Sequence, residues 1–265
     1  MAARFGNYLD YSGVSKAPAS ATHILDPRLQ ILVTLIPAIF TAKHCLDIGA
    51  NAGSVSVQVA FDFNAASVTG VDIDPSLVGQ AEKLYALRAS RRRPPTARSA
   101  SVVDYFPLSA VLAHGYRVEP QSKAAPKASP ALALHDDDDD CPRADFFAAD
   151  WALPTARLDL EAYDLILALS VIKWIHLEHG DAGLVAFFAR CKSSLRSGGY
   201  LVIELQPWDS YLKAVRPNHA PHFKQALDNL KFRPGSFDKL LQDQGLHLCA
   251  SSDALPRRIN VYQKA

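Results

Sequence analysis

Four short clusters carry residues whose types and spacing suit chemistry. The first is Asp47-Ile48-Gly49-Ala50-Asn51-Ala52-Gly53. Glycines at 49 and 53 let the backbone bend tightly and approach a ligand closely. In an open α/β sheet such a turn lies beyond the carboxyl end of the first strand, where ligands bind. The second is Val71-Asp72-Ile73-Asp74, with Asp72 placed 23 positions after Gly49 at the end of the next strand. A carboxylate there can accept hydrogen bonds from both hydroxyls of a ribose. The third is Asp150-Trp151, beyond a third strand. Asp150 is suited to an exocyclic amine of adenine, with Trp151 or its backbone beside the ring.

A dinucleotide would favour G-x-G-x-x-G, because its pyrophosphate sits on exposed amides at a helix start. Asn51 stands at the second glycine of that pattern. This suits a ligand without phosphate, and the three clusters in this order favour S-adenosylmethionine over NAD. A dehydrogenase would lack its third glycine and a hydride-transfer residue. The fourth cluster is Leu169-Ser170-Val171-Ile172-Lys173-Trp174-Ile175-His176. Amine-methylating enzymes commonly carry Asn/Asp-Pro-Pro-aromatic here to orient a nitrogen lone pair. A lysine instead suits an anionic acceptor. Taken alone, Lys173 reads as a solvated loop lysine, Trp174 as packing and His176 as a backbone cap. No cluster has the spacing of a metal site.

The elements that must position these clusters alternate. CLDIG reads as a buried strand and SVSVQVAFDF as a helix. SVTGVDID is a second strand, and Pro75 opens a helix through Ser90, since proline is tolerated in the first turn. ADFFAAD and YDLILALS are strands. DAGLVAFFARCKSSLRSGG is expected as a helix stopped by Gly198 and Gly199. YLVIELQ is another strand, FDKLLQDQGL a helix, and HLCASS and INVYQK close the chain as a hairpin-like pair. This order implies a doubly wound, mostly parallel seven-stranded α/β sheet, with helices on both faces and an antiparallel strand at one edge. Residues 1–43 form an N-terminal arm and helix, with Leu29–Phe40 expected as a buried helix. Residues 44–265 form the main domain. Residues 91–143, with RRRPP and the run Asp136–Asp140, read as a disordered insertion. Arg91–Arg93 and the aspartate run are expected to be solvated.

The 265 residues are 49% hydrophobic and 21% charged, the composition of an ordinary globular protein. A formal charge of +1 excludes a global basic field, so any RNA contact must come from a local patch. The four cysteines are far apart and read as buried thiols, which suits the nucleus or cytosol. The N-terminus lacks the apolar run of a signal peptide, and no segment is expected to enter a membrane.

The sequence resembles the methylphosphate capping enzymes, also called bicoid-interacting-protein methyltransferases. The shared motifs are GNY at Gly6–Tyr8 with Tyr11, Arg28-Leu29, LDIGANAG, GVDID, LSxxKWIH, GDxGL at Gly180–Leu184, and Gln206-Pro207-Trp208. They extend from residue 5 to the C-terminus apart from the insertion. The chain departs at Ser12, where relatives usually carry a second tyrosine, and at Leu205, which replaces a proline. The resemblance implies methyl transfer to the 5′-terminal phosphate of small noncoding RNA, either the γ-phosphate of polymerase III transcripts or a monophosphate. It implies phosphate contacts from Lys173 and Tyr11. It implies cofactor contacts from Arg28, Asp47, Gly49, Asn51, Asp72, Ile73, Asp150, Trp151 and Leu169, with Arg28 meeting the methionine carboxylate. Tyr8, His176, Gln206 and Trp208 are expected to line the RNA entrance or, for the aromatics, to brace the fold. A nuclear monomer is expected, with ribonucleoprotein proteins as further candidate partners. The competing readings are an RNA-binding scaffold that uses methyl transfer little and a small-molecule methyltransferase.

Overall fold

The computed structural model describes residues 25–90, 142–153 and 160–265. Tyr8, Tyr11 and most of the expected insertion lie outside them. Helix α1 (Pro27–Leu35) starts on Asp26, whose side chain accepts the Arg28 amide at 2.9 Å, with proline in the first turn. It stops short of the expected Phe40. Pro37 disfavours helical geometry in the residue before it, and Ile36 is extended at φ −135°, ψ 99°.

Strand β1 (His44–Ile48), helix α2 (Ser54–Asp62), β2 (Ser67–Asp72), α3 (Pro75–Ser90), β3 (Ala144–Ala148) and β4 (Tyr163–Ala168) follow as the sequence indicates. Valines do not prevent α2 from forming, because Val55, Val57 and Val59 are all buried in the core. Tertiary burial outweighs the few tenths of a kcal/mol that β-branching costs a helix.

The next helix differs from expectation at both ends. Helix α4 (Ile172–Ser194) begins inside the LSxxKWIH block and bends at Gly180, whose φ 66°, ψ −170° is not helical. It ends at Ser194, and Gly198 and Gly199 belong to β5 (Leu195–Glu204). The glycines serve a bulge. The β4–β5 register jumps between Tyr163↔Leu195 and Leu165↔Tyr200, and a Cβ on Gly199 would meet the Arg196 carbonyl at 2.9 Å. Helices α5 (Trp208–Ala214), α6 (Lys224–Asn229) and α7 (Phe237–Asp243) lead to β6 (Leu246–Ser252) and β7 (Ile259–Lys264).

The seven strands lie in the order β3-β2-β1-β4-β5-β7-β6. β1 to β5 are parallel, and β7 runs antiparallel to both β5 and β6, which makes that edge antiparallel. Alternation within the strands builds two core layers. Leu165 and Leu167 face α1 to α3, whereas Ile166 and Ala168 face α4 and α7. A satellite cluster of Tyr211, Phe223, Leu227 and Leu230 packs α5 and α6 beside the start of α4. Strand order reverses between β1 and β4, so their carboxyl ends open the crevice where ligands bind. Among the described residues, no helix is long and apolar enough to cross a membrane.

Candidate active site

The turn after β1 is shaped by its neighbours. Gly49 has φ +77°, and a Cβ there would lie 2.8 Å from Val171 in the loop after β4. Gly53 has φ +81°, and its Cβ would lie 2.6 Å from Ala81 on α3. Only glycine combines that backbone with that approach. Asn51 is also left-handed at φ 52°, a conformation asparagine tolerates well. The Gly49 and Ala50 amides donate to the Val71 carbonyl at 2.8 and 3.0 Å, tying the turn to β2.

Asp72 is buried at the end of β2. Its Oδ2 accepts the Asn51 amide at 2.8 Å and its Oδ1 the Asp74 amide at 3.0 Å. Burial raises its pKa, and these amide bonds oppose the rise. Each oxygen retains acceptor capacity for a ribose hydroxyl. Asp47 points into the protein instead, accepting the Ser56 hydroxyl at 2.6 Å, and burial raises its pKa to about 6. Asp47 therefore braces the turn against α2. Ile73 is half-buried beside Asp72, and Leu169 is buried at the end of β4.

Asp150 accepts the Ala152 amide at 3.1 Å and pairs with His179 Nε2 at 2.9 Å. The Trp151 indole lies in the core, edge-on to Phe187 at 5.9 Å, with the Arg190 guanidinium 4.6 Å from its centroid. The backbone of Trp151, and not its ring, is therefore the part available to a ligand. Sequence reasoning did not include His179.

Arg28 is more enclosed than expected. Nε and Nη2 donate to Asp26 at 2.9 and 2.7 Å, and Nη1 donates to Glu204 at 3.0 Å. Two carboxylates already offset its charge, so it supports the site as the hub of a buried network. Glu204, fully buried at the end of β5, also accepts the Ser170 hydroxyl, and Ser170 in turn accepts from Arg257 Nη1 at 2.8 Å. A glutamate closing the apolar run YLVIE demands a cation, and that signal was readable in the sequence. Ser170 stands in the LSxxKWIH block, whereas nothing in the sequence marks Arg257.

Lys173 lies in the first turn of α4, only 7% exposed. Its amide donates to Gln206 Oε1 at 3.2 Å, which ties the loop after β4 to the one after β5. Its Nζ donates to Ser210 at 2.9 Å and stands 4.3 Å from the Trp174 ring centroid. Burial first, and the Arg257 charge second, push its pKa down from 10.5 to about 8. A shielded ammonium thus lies between α4 and α5, mostly protonated at neutral pH. Trp174 packs at 6.2 Å from Phe223, as its packing role suggested.

His176 does not line an entrance. It is fully buried, its Nε2 lies 2.8 Å from Asp181, and its ring meets Tyr211 and Phe237 edge-on at 5.7 and 5.6 Å. It sits one helical turn beyond Ile172, on the core face of α4, and Asp181 also accepts the Lys231 and Phe232 amides at 2.8 and 3.1 Å. Its place is structural, joining α4 to the loop before α7. Trp208 is half-buried, stacked on Tyr211 at 4.9 Å with the Arg233 guanidinium 3.8 Å from its ring. Gln206 is buried and acts through Lys173.

The residues fit S-adenosylmethionine. Asn51 Nδ2 is a buried donor with no partner among the described residues, and it belongs to the turn that Gly49 and Gly53 shape. An unpaired buried donor costs about 1–3 kcal/mol, which a polar ligand removes. Fold and site together define a class I S-adenosylmethionine-dependent methyltransferase. The chain covers 93% of its own length and 81% of a magnesium protoporphyrin IX methyltransferase from Synechocystis, at TM-score 0.50 and 16% identity, a likeness of fold. An N-methyltransferase from Bradyrhizobium japonicum aligns at TM-score 0.51 and 12% identity, over 90% of this chain and 94% of that one.

The family is narrower than the class. Residues 163–264 match the model of Bicoid-interacting protein 3. A protein of Arabidopsis thaliana named as a probable RNA methyltransferase is 31% identical over 98% of this chain and 80% of its own length. The U6 snRNA methylphosphate capping enzyme of Drosophila melanogaster is 30% identical over 90% of this chain and 64% of its own. The 7SK snRNA methylphosphate capping enzyme of Mus musculus is 30% identical over 79% of this chain and 32% of its own. The chain belongs to the Bicoid-interacting protein 3 family of methyltransferases.

Proposed function

We propose that this protein transfers a methyl group from S-adenosylmethionine to an oxygen of the 5′-terminal phosphate of a small noncoding RNA. The γ-phosphate of a polymerase III-type small nuclear RNA is the favoured acceptor. The observation that carries this reading is Lys173, a buried cation in the block after β4, where amine-methylating enzymes commonly place an asparagine or aspartate that orients a lone pair. The similarity to two snRNA methylphosphate capping enzymes supports the same reading.

A phosphate oxygen is already anionic, so the protein needs no general base. Its task is to hold that oxygen in line with the transferred methyl group. The bound cofactor supplies an electrophilic methyl on a sulfonium. Asn51 and Asp72 hold its polar parts, and the glycines let the backbone approach. Lys173 makes a charge-assisted hydrogen bond to the phosphate, oriented by Ser210 and by the Gln206 contact to its own amide. Tyr11, outside the described residues, adds a neutral donor in this reading. Trp208, braced by Tyr211 and Arg233, offers aromatic surface for a base.

An RNA 5′-monophosphate is the second reading. It is supported by 50% identity over 54 residues, 20% of this chain, with the RNA 5′-monophosphate methyltransferase of Rattus norvegicus. Incubation with labelled S-adenosylmethionine and one RNA bearing a 5′-triphosphate, monophosphate or hydroxyl separates these. Label on phosphorylated ends alone is expected. Equal labelling of the hydroxyl end would remove phosphate as the acceptor. A nuclear site of action and ribonucleoprotein partners belong to the same proposal.

A further inference from the structure

Asp150 is the residue expected to accept the exocyclic amine of adenine. β2 and β3 pair with Asp72 opposite Ala148, and the Ala149 amide donates to the Asp72 carbonyl at 2.9 Å. Asp150 therefore stands just beyond the acid suited to the ribose, at the same end of the sheet. Its two carboxylate oxygens are held from different directions. Oδ1 accepts the Ala152 amide of its own loop at 3.1 Å, and Oδ2 meets His179 Nε2 of α4 at 2.9 Å. A carboxylate only accepts, so Nε2 carries the proton, and each oxygen keeps a lone pair for a further donor. The two side chains are only 17% and 19% exposed, which separates this pair from solvated surface pairs of little consequence.

The local backbone is built to put His179 there. Gly180 has φ 66° and ψ −170°, and a Cβ on it would meet nothing, so its backbone angle alone calls for glycine. Residues four apart in an unbroken helix hold their Cβ atoms about 5–6 Å apart. The bend at Gly180 brings His179 so close to the next turn that a Cβ on Gly183 would lie 2.1 Å from the His179 Cβ. One glycine makes the bend and the other leaves room for it. Asp181, between them, accepts the Lys231 and Phe232 amides and so anchors the bend to the loop before α7. Further along α4, Arg190 donates to the Leu153 carbonyl at 3.1 Å and lies over Trp151, so the same helix grips the Asp150 loop at a second point.

We infer that His179 is a positioning residue for the cofactor: by holding Asp150 Oδ2 it fixes the carboxylate as an oriented acceptor and makes the site selective for a 6-amino purine. The inference rests on Asp150 being the adenine contact. An amine at position 6 donates to the fixed carboxylate, whereas a 6-oxo group presents an oxygen to it and is repelled. A carboxylate released from His179 turns away from either group, so it binds the amine less well and repels the oxygen less. His179 touches no group that reacts, and its effect falls on cofactor binding alone.

The test measures the affinity of the full chain for S-adenosylhomocysteine and for its 6-oxo counterpart, S-inosylhomocysteine, by calorimetry without RNA. Wild type is expected to favour the adenosyl compound by at least about 10-fold. His179→Leu keeps bulk and loses the donor. It is expected to bind the adenosyl compound about 3–10-fold more weakly and the inosyl compound as well as before or better, so the ratio shrinks. His179→Gln carries an amide where Nε2 stood and should restore the ratio, whereas His179→Asn matches Nδ1 and should not. In methyl transfer, His179→Leu should raise KM for S-adenosylmethionine and leave kcat within about 2-fold. Asp150→Ala with and without His179→Leu should bind alike. Equal losses for both nucleosides, which a merely structural role would give, would overturn the inference, as would additive losses in the double variant. If His179→Leu unfolds, equal ratios in the glutamine and asparagine variants overturn it. An Asp150→Ala variant that keeps the wild-type ratio removes Asp150 as the adenine contact and the inference with it. A ratio lost with Asp150→Ala but kept with His179→Leu removes the inference alone.

Discussion

Replacing Lys173 by methionine is expected to move stability and activity in opposite directions. Burial and Arg257 lower the lysine pKa from 10.5 to about 8. At 1.36 kcal/mol per unit, keeping the ammonium charged in the folded state costs roughly 3 kcal/mol at pH 7. The methionine side chain fills similar volume without that cost. It forfeits the Ser210 hydrogen bond and the contact with the Trp174 ring, together about 2 kcal/mol. The net expectation is a variant about 1 kcal/mol more stable at pH 7, or about 2–4 °C in Tm.

The advantage depends on pH with a definite sign. Below pH 8 the lysine is charged in both states, and the folded wild type bears the whole cost. Between about 8 and 10.5 the unfolded chain binds the extra proton, so wild-type stability rises with pH and the advantage of the variant shrinks. Transfer to phosphate should fall about 10–150-fold in kcat/KM, the equivalent of a lost charge-assisted bond of about 1.5–3 kcal/mol. Urea denaturation at pH 7 and pH 10, with kinetics on 5′-phosphorylated RNA, measures both. A variant less stable than wild type at pH 7 that keeps its turnover would refute the account of Lys173.

Three further outcomes follow from other contacts. Gly49→Ala places a Cβ 2.8 Å from Val171 on a left-handed backbone, costing about 1–2 kcal/mol before the clash, and S-adenosylhomocysteine affinity by calorimetry should fall more than about 10-fold. Glu204→Gln removes one of the two carboxylates around Arg28. Denaturation should show a loss of about 3–5 kcal/mol, and a neutral result would mean that the pair is not tightly coupled. His176→Phe should lower stability by about 1–2 kcal/mol through the lost Asp181 bond while leaving KM for RNA unchanged. A raised KM without lost stability would return His176 to the RNA path.

The sheet was legible because its strands are short apolar runs and its first two turns carry glycines and acids at spacings the fold requires. The contact between the glycine turn and Asp72 was legible because Gly49, Asn51 and Asp72 fall within one βαβ unit, and the parallel pairing of β1 with β2 brings Asp72 to the Asn51 amide. The helix ending at Ser194 was misplaced because a glycine pair can stop a helix or accommodate a bulge, and only the β4–β5 register distinguishes them. His176 was misplaced because the motif does not show that the block opens a helix, and in that helix His176 falls one turn beyond Ile172, against Tyr211 and Phe237. Arg257 was missed because its partners Ser170 and Glu204 are distant in sequence and meet only through strand order.

The central claim is that the methyl group reaches a phosphate oxygen. Reaction with S-adenosylmethionine carrying a 13C methyl group, followed by NMR of the RNA product, tests it most directly. The account predicts a new methyl signal split by coupling to the terminal 31P, accumulating more slowly with Lys173→Met. A methyl signal without phosphorus coupling, placing the carbon on a base or ribose, would contradict it.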